Sequence, residues 1–201
     1  MTDLRQQTID VYQNTAESIS TRFRGIGGRT KYVERAFELA GNPSDARVFE
    51  IGCGDGRDAK VIVDKCAWYL GMDASSEMIK LARQYVPNAI FEVGDAVDFE
   101  YPDNVHIVFA FASLLHLNPE ELGVVFGKIY TALSINGIVY ISTKWASSYE
   151  TVLQDDQYGK RLFHLYNADI IAKLAGDRFD VVFSERVSLR SEWLEIALQK
   201  R

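Results

Sequence analysis

The chain has 201 residues, of which 47% are hydrophobic, and this content suits one globular domain with a full-sized core. Its formal net charge of −6 argues against the basic surface with which proteins bind nucleic acids. Two cysteines are too few for a disulfide framework or a cysteine metal site, and no apolar run reaches the about 18 residues of a membrane helix. We therefore expect a cytoplasmic protein with no metal site, no nucleic-acid partner and no membrane segment.

The first forty residues predict two amphipathic helices, at residues 3–20 and 30–40. Arginines and glycines fill the loop between them, and Gly41 and Pro43 end the second helix. We treat residues 1–45 as an N-terminal helical cap that belongs to the same domain as the core.

A glycine-rich turn follows the first predicted strand, in the sequence VFEIGCGDG at residues 48–56. Glycines at every second position are poor strand and helix formers, and they suit a sharp turn where a ligand lies against bare main chain. Arg57 stands where a dinucleotide fingerprint needs its third glycine, and the sequence has no Gly-Lys-Ser/Thr of a phosphate-binding loop. Glu50, just before the first glycine, favours a cationic ligand over a pyrophosphate.

The next two predicted strands also end at acidic residues. The strand at residues 67–73 ends in Asp73, about twenty residues beyond Glu50, where nucleoside-binding folds place a carboxylate on the ribose hydroxyls. The strand at residues 89–93 leads into Asp95. Because the carboxyl ends of parallel strands meet at one edge of a sheet, we expect these acids to share one crevice.

The second half of the chain continues the alternation of strands and helices. A strand at residues 105–110 is followed by a helix that begins at Pro119. Later elements are a strand at residues 138–142, a helix at 168–175, and strands at 179–185 and 192–198. The seven predicted strands indicate an α/β fold with a doubly wound, mostly parallel sheet.

The glycine turn, the acid that ends the second strand and the Gly-Asp after the third strand resemble the signature of the class I S-adenosylmethionine-dependent methyltransferases. The resemblance implies a Rossmann-like fold at residues 46–201, with a seven-stranded sheet whose last strand is antiparallel. It also implies S-adenosylmethionine as cofactor, S-adenosylhomocysteine as product and in-line methyl transfer. No catalytic triad or metal is needed, since positioning alone contributes roughly 7–11 kcal/mol in favourable cases.

The resemblance assigns roles to individual residues. Asp95 accepts a hydrogen bond from the adenine amino group, the backbone amide of Ala96 meets a ring nitrogen, and Met78 lines the adenine. Tyr12 either closes over the methionine moiety or packs as a surface aromatic. The predicted cofactor-binding residues are Tyr12, Arg29, Glu50, Gly52, Cys53, Gly54, Arg57, Asp73, Ala74, Met78, Gly94, Asp95, Ala96 and Phe111.

The acceptor side is less well defined by the sequence. His116 is a general base, a donor that orients the acceptor, or a histidine packed under its loop. Tyr166 is the second catalytic candidate, and Lys144 faces the acceptor or is a solvated charge. The segment at residues 144–166 is left to enclose a small, partly apolar acceptor. We expect a pocket lined by Trp145, Phe163 and Tyr166.

Three alternatives remain open at this point. The first is a methyltransferase whose acceptor is RNA or a protein. The second is a protein that binds S-adenosylmethionine without catalysing methyl transfer. The third is a nucleotide-dependent oxidoreductase, which Arg57 disfavours. The identity of the acceptor, the methylated atom and the oligomeric state do not follow from the sequence.

Overall fold

Helices and strands alternate along most of the chain, which a computed structural model describes at residues 4–188 and 190–201. The helices are α1 (Leu4–Asn14), α2 (Ala16–Arg24), α3 (Thr30–Leu39), α4 (Ala59–Ile62), α5 (Ser76–Tyr85), α6 (Pro119–Ala132) and α7 (Ala168–Ala175). The strands are β1 (Arg47–Ile51), β2 (Trp68–Asp73), β3 (Ile90–Val93), β4 (Val105–Phe111), β5 (Leu133–Lys144), β6 (Glu150–Asp156), β7 (Gly159–Leu165), β8 (Phe179–Ser188) and β9 (Glu192–Lys200). Short 3₁₀ turns lie at Val63–Lys65 and Leu114–His116.

Seven of the strands form one sheet in the order β3-β2-β1-β4-β5-β9-β8. Strands β1 to β5 are parallel to their neighbours within this group, and β9 is antiparallel to both β5 and β8. The predicted seven-stranded, mostly parallel sheet with an antiparallel last strand is therefore confirmed. The winding reverses between β1 and β4, and ligands of such sheets bind beyond the strand ends at that switch point.

Helices cover both faces of this sheet. On one face, α6 buries Leu122, Val125, Phe126 and Ile129, which recur at the spacing of one helical stripe. On the other face, α3, α4 and α5 pack their apolar sides against β1, β2 and β4. The sheet between these layers is rigidly packed, which fixes the positions of its strand ends.

The N-terminal helices pack across the edge of the sheet rather than on a face. Ile19 of α2 forms a small apolar cluster with Met78 of α5, and Tyr12 and Tyr158 pack against that cluster. Helix α1 lies against α5 and β7. Together α1 and α2 cover the carboxyl ends of the parallel strands.

Two elements differ from the prediction. The first helix, expected at residues 3–20, is divided at Thr15, whose backbone leaves helical geometry and whose hydroxyl donates to the carbonyl oxygen of Val11 at 2.6 Å. The segment at residues 144–166 contains the antiparallel hairpin β6–β7, a second small sheet, rather than loop alone.

Candidate active site

A cavity of about 550 Å³ opens at the carboxyl ends of the parallel strands. Its floor is formed by the glycine turn after β1 and by the residues that follow β2, β3 and β4. Helices α1 and α2 and the hairpin β6–β7 supply its roof and outer wall. The cavity therefore lies at the switch point of the sheet, under the N-terminal helices.

The glycine turn presents bare backbone to the cavity. Gly52 has a φ of 71°, and a Cβ there would lie 2.2 Å from the Cβ of Ser113. Gly54 has a φ of 55°, and a Cβ there would meet nothing within 4 Å, so its side faces open space. Both φ values lie in the region that favours glycine, which explains why the turn requires this residue type.

The Asp73 carboxylate ties the glycine turn to the start of α5. Its Oδ2 accepts from the backbone N–H of Gly54 at 2.9 Å, and its Oδ1 accepts from the backbone N–H of Ser75 at 2.8 Å. Each carboxylate oxygen can accept more than one hydrogen bond, so both retain capacity for a pair of ligand hydroxyls. Burial raises the pKa of Asp73, and the two N–H donors oppose that shift.

Asp95 lies after β3 and is bound by a residue that the sequence did not single out. The guanidinium of Arg5 on α1 donates to the Asp95 carboxylate, and it also lies 3.4 Å from the Glu121 carboxylate. The Asp95 Oδ1 accepts from the backbone N–H of Val97 at 2.8 Å. The Arg5 guanidinium thus already binds the Asp95 carboxylate, which by the resemblance accepts a hydrogen bond from the adenine amino group.

Glu50, on β1 just before the glycine turn, does not line the cavity. Its Oε2 accepts from the hydroxyl of Tyr69 at 2.5 Å, and burial raises its pKa to about 8. This residue was predicted to bind the cofactor directly. The structure buries its side chain at 1% exposure on β1, where the Tyr69 hydroxyl of β2 is its hydrogen-bond partner.

Asp58 was not predicted as a site residue, but it binds Arg29 and Arg57, two of the predicted cofactor-binding residues. Its Oδ1 accepts from the backbone N–H of Arg29 at 2.8 Å, and its Oδ2 accepts from the guanidinium of Arg57 at 2.9 Å. The Arg29 guanidinium also donates to Oδ2, at 2.5 Å. The carboxylate thus bridges both cations beside the glycine turn.

His116 has a defined tautomer. Its Nδ1 lies 2.7 Å from the carbonyl oxygen of Leu162, which can only accept, so Nδ1 carries the proton. Its Nε2 then accepts from the hydroxyl of Tyr12 at 3.1 Å. Burial is the main cause that lowers the pKa of His116 to about 4, and the nearby Arg161 adds to it. The imidazole is therefore neutral near pH 7.

The predicted residues are not all brought together. Thirteen of the fourteen predicted cofactor residues line the cavity, namely Tyr12, Arg29, Gly52, Cys53, Gly54, Arg57, Asp73, Ala74, Met78, Gly94, Asp95, Ala96 and Phe111. His116, Lys144 and Phe163 also line it.

Tyr166 and Trp145 lie away from the cavity wall, against the expectation from sequence. The Tyr166 hydroxyl donates to the carbonyl oxygen of Leu117 at 2.6 Å, and its side chain is fully buried beneath the site. The Trp145 ring is covered by the Arg186 guanidinium at 3.6 Å. In their place, the outer wall holds Gln154, Asp156 and Arg161 of the hairpin.

Among the described helices, none combines the length and the apolar character that a membrane span needs.

Comparison with known proteins gives a consistent result. A family model described as "Methyltransferase domain" matches residues 48–137. A trans-aconitate 2-methyltransferase of Variovorax paradoxus (strain S110) is 27% identical over 116 residues, which cover 56% of this chain and 44% of the relative. A probable 18S rRNA (guanine-N(7))-methyltransferase of Dictyostelium discoideum is 35% identical over 78 residues, covering 36% of this chain and 27% of the relative. The chain therefore spans less than half the length of both.

A solved structure of similar fold has a ligand in place. It is an amino-pentose methyltransferase of Micromonospora echinaspora, bound to S-adenosylmethionine, with a TM-score of 0.71 and 15% identity. The match covers 92% of this chain and 97% of that one, so the two share a fold over almost their whole lengths.

Proposed function

We propose that the chain is a class I S-adenosylmethionine-dependent methyltransferase, which transfers the methyl group of S-adenosylmethionine to a small-molecule acceptor inside the cavity. One observation carries the proposal: the open glycine turn, Asp73 and Asp95 converge on one cavity at the switch point of the sheet. These groups match the donors and acceptors of a nucleoside with an attached amino acid.

The residues present suit the cofactor. The side of Gly54 that lacks a Cβ leaves space for a ligand to lie against the main chain. The Asp73 oxygens retain acceptor capacity for the ribose hydroxyls. Met78 is a buried, polarizable side chain on the wall where the adenine ring would lie. When bound, S-adenosylmethionine supplies a methyl group made electrophilic by its sulfonium.

A small acceptor is supported by the cover over the cavity. Helices α1 and α2 and the hairpin restrict entry, whereas a polymer needs an open groove and, for nucleic acid, a basic stripe. The net charge of −6 opposes an RNA acceptor. The relative named for trans-aconitate acts, by its name, on a small molecule, while the relative named for 18S rRNA keeps RNA as the second candidate.

His116 orients the acceptor rather than serving as a strong base. A pKa near 4 makes neutral His116 a weak proton acceptor at pH 7. Its Nε2, held by the Leu162 carbonyl on the far side of the ring, is a fixed hydrogen-bond acceptor at the cavity wall. An acceptor that displaces the Tyr12 hydroxyl would donate a hydrogen bond to this nitrogen. Positioning and exclusion of water then supply most of the rate increase.

Cofactor binding is tested by calorimetry with S-adenosylmethionine, S-adenosylhomocysteine and NAD. We expect both sulfur ligands to bind and NAD not to bind. The Asp73→Asn variant loses a charged acceptor worth about 1.5–3 kcal/mol, so its affinity for S-adenosylhomocysteine should fall about tenfold or more. The control Asp64→Asn changes an exposed carboxylate outside the cavity and should leave the affinity unchanged. Tight binding of NAD with no response to either sulfur ligand would contradict the proposal.

Methyl transfer itself is tested by incubating the protein with labelled S-adenosylmethionine and a small-molecule extract, with product masses as readout. Labelled small molecules would support the proposal. Incorporation into RNA or protein alone would move the assignment to a polymer acceptor. Cofactor binding with no incorporation into any of these pools would indicate a binding protein without catalysis.

A further inference from the structure

The cationic side chains of the cavity are distributed unevenly. Around the glycine turn and the strand ends, the carboxylates Asp55, Asp58, Asp73 and Asp95 face the cavity with Arg5, Arg29 and Arg57. Along the outer wall, the cations Arg22, Lys144, Arg161 and Arg190 face it with one carboxylate, Asp156. In a chain of net charge −6, this outer wall is a local excess of positive charge.

Three of the outer cations, Arg22, Lys144 and Arg161, pack against aromatic rings of the hairpin. The Tyr158 ring lies 5.9 Å from the Arg22 guanidinium and 5.6 Å from that of Arg161. The Phe163 ring lies 5.6 Å from the Arg161 guanidinium and 4.0 Å from Lys144 Nζ. The rings thus hold the cations along one wall.

Arg161 and Lys144 differ in their partners. Arg161 is only 6% exposed and donates to the Asp156 carboxylate. Lys144 Nζ donates to the neutral amide oxygen of Gln154 at 3.0 Å, and within the described residues no carboxylate oxygen lies within 4.0 Å of it. Burial and the neighbouring Arg161 lower the pKa of Lys144, and the Asp156 carboxylate opposes them. This half-buried ammonium has lost part of its hydration, and within the described residues it has no carboxylate in direct contact.

Lys144 lies close to His116, at the part of the cavity where we place the acceptor. Phe163, against which Lys144 packs, has its ring centroid 4.9 Å from that of His116. The ammonium is therefore one aromatic ring away from the imidazole that we assign to the acceptor. A small molecule spans this separation.

We propose that the acceptor carries an anionic group, a carboxylate or a phosphate, which binds to Lys144 Nζ and the Arg161 guanidinium on the outer wall of the cavity. This inference rests on the proposed small-molecule methyl transfer and specifies the class of its acceptor. The anion supplies a contacting counter-charge for Lys144, which no carboxylate of the described residues provides, and Arg22 and Arg190 add to the attraction at the mouth. Asp156, held by Arg161, keeps that guanidinium oriented.

The test measures anion binding directly, without knowledge of the true acceptor. Protein loaded with S-adenosylhomocysteine is titrated by calorimetry with propane-1,2,3-tricarboxylate, with inorganic phosphate and with uncharged glycerol. Lys144→Met keeps the apolar stem and removes the charge, and Lys144→Gln serves as a second variant. The matched control is Lys160→Met, because Lys160 lies on the same hairpin, is exposed, does not line the cavity and is 3.8 Å from Asp155.

We expect at least one anion to bind and glycerol not to bind. Loss of one charge-assisted contact should weaken anion binding about tenfold or more in both Lys144 variants. Lys160→Met should change it less than about twofold, as for an exposed charge. The tricarboxylate and phosphate arms distinguish the two sources of negative charge.

The inference is overturned if neither anion binds more tightly than about 10 mM, a standard free energy of less than about 3 kcal/mol. It is also overturned if the Lys144 and Lys160 variants lose affinity equally. Binding of S-adenosylhomocysteine is recorded first, so that failure of the proposed function is separable from failure of the anion site. If that ligand does not bind, the same titrations and criteria apply to the free protein.

Discussion

The contacts of a single residue, Leu162, determine much of the acceptor side. Its N–H donates to the Thr8 hydroxyl at 2.9 Å, and its carbonyl oxygen accepts from His116 Nδ1 at 2.7 Å. Both groups lie on the edge of β7 that has no strand partner, since β6 pairs with the other edge. Side chains from α1 and from the turn after β4 therefore satisfy this edge. The same contacts fix the tautomer of His116 and aim its Nε2 at Tyr12.

His116 should titrate far below a free histidine, whose pKa is about 6.5. We expect its ring resonances, followed by NMR against pH, to show a midpoint near 4. Between about 6.5 and 4 the unfolded chain takes up a proton that the folded chain does not, so this group lowers stability as pH falls through that window. Tyr12→Phe removes the hydroxyl that occupies Nε2 and should raise the midpoint. A wild-type midpoint above about 6 would contradict the buried, neutral state.

At the scale of elements, the core and the cofactor half were predictable because their signals are local. The glycine turn, Asp73 and Asp95 each follow a strand whose apolar run is visible in the sequence. The hairpin β6–β7 was not predicted, because β6 is largely exposed on both faces and shows no alternation of burial. The break at Thr15 was missed as well, since the helical pattern runs through it, whereas the contacts of α1 with β7 and of α2 with α5 join residues that lie far apart in the chain.

The contact between α1 and β7 should depend on the Thr8 hydroxyl. Thr8 is 2% exposed, and Thr8→Val keeps its shape while leaving the Leu162 N–H without an acceptor. We expect a loss of about 1–3 kcal/mol from the free energy of unfolding, and faster hydrogen exchange at Leu162. Thr21→Val is the control, because the Thr21 hydroxyl is exposed and bonds only within its own helix. Unchanged exchange at Leu162 would indicate that α1 does not hold the hairpin.

At the scale of the whole molecule, two apolar layers of the described residues enclose the seven-stranded sheet, and a buried polar group lies at the junction of β5 and β9. Glu195 is 3% exposed, and its Oε1 accepts from the Ser142 hydroxyl at 2.7 Å. Its other oxygen has no partner within the described residues. The sequence predicted the strand at residues 192–198, but the groups around its glutamate include Ser142, Arg29 and Asp58, which lie far away in the chain.

Burial raises the pKa of Glu195 to about 7; Glu185 and Asp58 add to this shift, whereas Ser142 and Arg29 oppose it. A carboxyl with a raised folded pKa stabilises the fold fully below its unfolded value, about 4.5, and loses that contribution as pH rises through about 7. Glu195→Gln removes this pH-dependent contribution to stability while keeping a hydrogen-bond acceptor for the Ser142 hydroxyl.

We therefore expect Glu195→Gln to match the wild type within about 1 kcal/mol at pH 5 and to exceed it by on the order of 3 kcal/mol at pH 9 in urea unfolding. The control is Glu34→Gln, since Glu34 is exposed, pairs with Lys65 at 3.4 Å and is not among the groups named above that shift the pKa of Glu195. That variant should follow the pH dependence of the wild type closely. If Glu195→Gln were equally destabilised at both pH values, the carboxyl would be ionised and stabilised throughout. The junction of β5 and β9 would then be an anion site rather than a buried acid.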